Sequence, residues 1–91
     1  MTLETGTILG LYGSWISGLA TLTVQKDDGS LDMVFCDNGQ TVRAFDAAFG
    51  DVIGEAHTIN NKALEGKRIS YSTDWMGILE GFTPLEDKEV D

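Results

Sequence analysis

A single cysteine, Cys36, leaves this chain no internal disulfide framework and no cysteine-rich zinc site. No apolar run approaches the ~20 residues of a membrane span, and the N-terminus lacks the basic and then apolar region of a secretion signal, so a cytoplasmic location is expected. Positive charge is scarce. Six Lys and Arg stand against fifteen Asp and Glu, a formal charge of −9. A nonspecific nucleic-acid binder draws its affinity from neutralising phosphates, and anionic membranes ask for the same sign, so direct contact with either is disfavoured. The glycines form neither a Walker loop nor the spaced triple glycine of dinucleotide folds, and no cofactor is implied. The acidic residues run along the whole chain, which suits a solvated surface or one that meets a basic partner.

What is present centres on one joint. In residues 31–36 the side chains of Leu31, Met33 and Phe35 share one face, which predicts a strand with that face against a core and Asp32 toward water. The period then changes. Val42, Phe45 and Phe49 recur at steps of three and four, while Arg43 and Asp46 take the opposite side of an amphipathic helix. Asp37 or Asn38 supplies its N-cap, with Gln40 three residues after Asp37, and Gly50 stands where a left-handed cap is wanted. A helix this short is unstable alone in water and forms by burying its apolar stripe on a sheet.

Around the joint the chain alternates. Residues 5–12 form a β-rich stretch whose glycines suggest a bulge. Residues 19–25 form a second strand with Ala20, Leu22 and Val24 on one face. Between it and the third strand, Asp28-Gly29 offers the positive φ of a tight hairpin. Residues 51–59 read mostly as a connection, with room for a short edge strand, and residues 60–66 as one helical turn capped by Asn60 and ended by Gly66. A strand over 67–73 then alternates Ile69, Tyr71 and Thr73 against Arg68, Ser70 and Ser72, with one wet face; Asp74 to Gly77 turn the chain, residues 78–83 return, and Pro84 ends the pairing. Residues 1–85 make one small β-barrel-like domain, and 86–91 a disordered acidic tail.

The resulting order, three strands, a helix and two strands, resembles in topology the five-stranded antiparallel OB barrel, which binds through its sheet face and the loops joining strands one to two and four to five. The fold expected is therefore mainly β and OB-like; an SH3-like barrel or an open α+β sheet would use the same elements. In that frame Trp15 and Trp75 occupy the two binding loops, with Tyr12 and Tyr71 near them. Loop aromatics are the usual equipment of a recognition surface, although two indoles that plug barrel ends would look the same in sequence.

Other chemistry is thin. Asp27, Asp28, Asp32 and Asp37 group near the hairpin and helix start, but a calcium loop begun at Asp27 would place Gly29 and Leu31 at ligand positions, so turn chemistry accounts for them and no metal is expected. Cys36 and His57 are the only candidate nucleophile and base, and nothing in the sequence brings them together. The expectation is a non-enzymatic binding module whose partner is another protein, favourably a basic one, its oligomeric state open. The alternatives are a nucleic-acid mimic whose carboxylates imitate phosphates and an OB-like small-ligand binder.

Overall fold

In the computed structural model, which describes residues 3–14 and 18–85 apart from the side chains of Ser14, Asn38 and His57, the expected elements form in the expected order. They are β1 (Glu4–Ser14), β2 (Leu19–Lys26), β3 (Leu31–Asp37), α1 (Asn38–Phe49), β4 (Arg68–Thr73) and β5 (Leu79–Leu85), with short 3-10 turns at Glu55–His57 and Asn61–Ala63. The expected tail, 86–91, lies outside the described residues. All five strands pair antiparallel in one sheet, ordered β3-β2-β1-β4-β5. The sheet is not closed into a barrel. Its two ends approach at one parallel bridge from Phe35 of β3 to Ile78, just before β5, where the Phe35 amide donates to the Gly77 carbonyl at 3.1 Å.

The sheet is nevertheless strongly curled, and β1 carries a register shift between Ile8 and Gly10 that bends it. The Tyr71 hydroxyl on β4 donates to an Asp32 carboxylate oxygen on β3 at 2.7 Å, although β1 and β2 lie between those strands. In a flat sheet the two strands would be about 14 Å apart, three spacings of roughly 4.8 Å. The bond can form only across a concave interior.

That interior is lined by Ile8, Leu11, Ala20, Leu22, Val24, Val34, Cys36, Ile69 and Tyr71, with Val42 and Phe45 of α1 and Val52 and Leu64 of the connection closing over it. Helix α1 begins as its sequence asks: Asp37 accepts the Gln40 amide at 2.8 Å. Gly50 does take positive φ (79°), but with ψ at 153°, so the cap is extended rather than left-handed helical. Phe45 is fully buried with its ring centroid 4.4 Å from that of Phe82, whereas Phe49 is only partly covered. In the connection, Ile53 and Ile59 form a single bridge, and the Asn60 amide side chain donates to the Asp51 carbonyl instead of capping the turn that follows.

Two further expectations are corrected. Asp32, Val34 and Cys36 are the inward residues of β3, and Leu31, Met33 and Phe35 face outward, because Asp32 is held by Tyr71. Pro84 does not end the pairing: it sits opposite Ile69 within β5, where an edge strand tolerates a residue with no N–H.

Phe45→Ala should cost about 3 to 5 kcal/mol in urea denaturation, since it empties the contact between helix and sheet. Tyr71→Phe should cost about 1.5 to 3 kcal/mol by removing the donor to Asp32. Burial, and then the Asp32 carboxylate accepting its proton, pushes the Tyr71 hydroxyl above its ordinary value of 10.0. Above pH 10 the unfolded chain releases this proton and the folded chain keeps it, so the Tyr71 share of stability falls as pH climbs. The urea midpoint of the wild type should therefore decline more steeply than that of Tyr71→Phe between pH 9 and about 11.

Candidate binding surface

The outward face of β3 and β2 is the most apolar exposed surface among the described residues. Its layout follows from the register. Phe35 pairs with Thr21 and Thr21 with Tyr12; Met33 pairs with Thr23 and Thr23 with Gly10; Leu31 pairs with Gln25 and Gln25 with Thr7. None of these positions carries charge. Met33 is 64% exposed, Phe35 51% and Tyr12 60%. The Tyr12 ring lies over Gly10, where a Cβ would come within 2.6 Å of it, so Gly10 provides the flat floor on which that ring rests. Thr21 and Thr23 are the shallow polar strip between Tyr12 and the Met33–Phe35 ridge.

The β4–β5 turn extends this ridge. Asp74 accepts the amides of Met76 at 2.8 Å and Ile78 at 3.0 Å, and its own carbonyl accepts the Gly77 amide at 3.0 Å. These bonds fix the turn and turn its side chains out: Trp75 is 92% exposed and Met76 56%. The parallel bridge between Phe35 and Ile78 joins the turn to the β3 edge.

Of the four aromatic candidates, Tyr12 is exposed on this face and Trp75 is exposed on the turn bridged to its edge. Tyr71 is buried and serves the interior, so it shares no surface with them. Trp15 lies outside the described residues. Leu31, Met33 and Phe35, core residues by their sequence pattern, form most of the surface; the signal that locates them is the pairing of β3 with β2.

The remaining candidates resolve into structural duties. Asp27 forms a two-pronged pair with Arg68 at 3.0 and 3.1 Å, Asp28 accepts the Ser30 amide and hydroxyl, and Asp46 accepts the amides of Val52 and Ile53. Among the described residues no three His, Cys, Asp or Glu side chains are grouped to hold a metal ion. Cys36 is buried with its thiol 3.6 Å from the Ala20 carbonyl, and desolvation, with a smaller push from Asp37, raises its pKa despite the opposing Thr41 hydrogen bond. The side chain of His57 lies outside the described residues. Open concavities of about 620 Å³ lie beside Asp51, Glu55 and Asn60 and of about 510 Å³ between the start of α1 and β5. No helix among the described residues is long and apolar enough to cross a membrane.

Comparison with protein families, characterised proteins and solved structures finds no match to this chain.

In a Trp15→Phe variant the remaining indole, Trp75, should emit as a water-exposed tryptophan and be quenched freely by acrylamide; shielded emission would remove it from the surface. Cys36 should react with a thiol reagent only on unfolding, so labelling in native buffer at the rate of a free thiol would contradict its burial.

Proposed function

We propose that this chain is a small acidic, non-enzymatic binding module that engages another protein through the outer face of β2 and β3 together with the β4–β5 turn. One observation carries the proposal. Leu31, Met33, Phe35, Met76 and Trp75 are all more than half exposed; the first three share one uncharged face of β3, and the turn that bears the other two is bridged to its edge, in a chain of net charge −9. Contiguous exposed apolar area of this kind on an otherwise charged protein marks an interaction site. Aromatic anchors and methionine are the residue types enriched in such sites, Trp most of all.

The strand order and the parallel bridge from β3 to Ile78 support reading the sheet as an OB-like barrel that stops short of closure. OB barrels bind on the face of strands two and three and on the loops before strand two and before strand five. In that reading the outer face of β2 and β3 and the turn that carries Trp75 are the counterparts of those positions. The sign of the charge favours a protein with basic residues over a nucleic acid.

The test is affinity capture with paired variants. A Phe35→Ser, Trp75→Ala double variant changes only exposed side chains and should keep its melting temperature, because surface substitutions usually stay within about 0.5 kcal/mol. Partners recovered by the wild type at low salt should be lost by this variant, retained by Glu65→Gln on the far connection, and released as ionic strength rises. Equal recovery by the double variant, or no recovered protein at low salt, overturns the proposal.

A further inference from the structure

We propose that the occupant of this surface is an extended segment of another protein, apolar and basic at alternate positions, which adds as a strand to the open edge of β3. This deepens the reading of the outer face as a binding surface and rests on it.

The free edge can be read from the hydrogen-bond phase. The Lys26 amide donates to the Ser30 carbonyl at 2.8 Å, so the pair 26 and 30 is a bonded pair of the β2–β3 ladder. Bonded pairs recur every second residue, at Val24 with Asp32, Leu22 with Val34 and Ala20 with Cys36. The backbone groups of Leu31, Met33 and Phe35 therefore face away from β2. The Phe35 amide shows the same phase, since it reaches Gly77 on the other side. The lane beside β3 is thus half filled: Gly77 and Ile78 occupy it next to Phe35, and no described residue pairs with Leu31 or Met33 there.

Natural edges are blunted by Lys, Pro or a covering element, because a row of unpaired amides and carbonyls templates another strand. Leu31 and Met33 bring none of these, and their exposed side chains stand beside the empty lane. Residues added opposite them would put apolar side chains on the outer ridge. Residues added opposite Asp32 would face the concave side, toward a carboxylate, which selects a cation at that position.

Charge also decides against a second copy of the chain. Antiparallel self-pairing centred on Met33 would bring Asp28 of one copy beside Asp37 of the other at both ends of the contact, between chains that each carry −9. A basic segment meets the same groups with the opposite sign. This mode of recognition takes its affinity from main-chain hydrogen bonds and its specificity from alternate side chains.

A short, capped peptide of alternating Lys and Val is the probe, with amide hydrogen exchange followed by NMR at low ionic strength. Exchange at Leu31 and Met33 should slow by about tenfold or more, while Val34, already bonded to Leu22, should be unchanged. A Glu/Val analogue and a peptide N-methylated along its bonding edge should give no slowing. Met33→Pro removes an outward N–H without touching the β2 ladder and should abolish binding; the N-methylated peptide makes the same cut on the other partner should that variant fail to fold. Three results overturn strand addition. If the peptide shifts Trp75 and Met76 while Leu31 and Met33 exchange freely, or if it does not bind although the captured partner needs Phe35 and Trp75, the surface docks a folded face and only the strand proposal falls. If Leu31 and Met33 are protected without peptide in proportion to protein concentration, the occupant is a second copy.

Discussion

The hydrogen bond from Tyr71 to Asp32 sets the shape on which the rest of this structure depends. It joins the first and fourth strands of a five-stranded sheet, so the sheet must curl until they meet. A carboxylate on the concave face of an edge strand would be costly without that donor, and Tyr71 is buried with its hydroxyl aimed at it. The second consequence is on the other face. With Asp32 committed inward, the two-residue period of a strand sends Leu31, Met33 and Phe35 outward. The exposed ridge is the reverse side of the bond that curls the sheet.

This ridge was hidden in the sequence for a countable reason. Leu31, Met33 and Phe35 are larger and more apolar than Asp32, Val34 and Cys36, so burial by size favours the wrong face. The hairpin decides otherwise. A two-residue turn at Asp28-Gly29 would set Val24 beside Met33 and bury that set. The chain closes instead on Lys26 and Ser30, with Gly29 at φ 91°, a loop one residue longer, and Val24 pairs with Asp32. One residue of loop inverts every side chain of β3. The partner that makes an inward Asp32 tolerable lies thirty-nine positions away, beyond any local pattern.

Elsewhere local chemistry was enough. The helix and its Asp37 cap, the glycine bulge in β1 and the turn at Asp74 were legible because each rests on groups within a few residues of one another. The place of Pro84 inside β5 is not legible locally, because its tolerance depends on β5 being an edge, which is a property of strand order. The same holds for the aromatics. Sequence placed Trp75 on a turn, where it is exposed, yet Tyr71 looked equivalent to Tyr12 until the pairing of β4 put it inside.

A sheet with an open, apolar edge ought to associate with itself, and the charge distribution explains how that tendency is offset. The ridge positions are neutral, so no carboxylate interrupts the contact area, while Asp28 and Asp37 stand at the two ends of β3. Between identical chains those ends repel, and the whole-molecule charge adds to the repulsion over about a Debye length, roughly 8 Å at physiological ionic strength. Toward a basic segment the same groups attract. Added salt therefore acts in opposite directions on the two associations, weakening the heterologous one and removing the barrier to the homologous one. Negative charge placed beside an apolar edge, rather than on it, thus discriminates between partners without reducing the area either would bury.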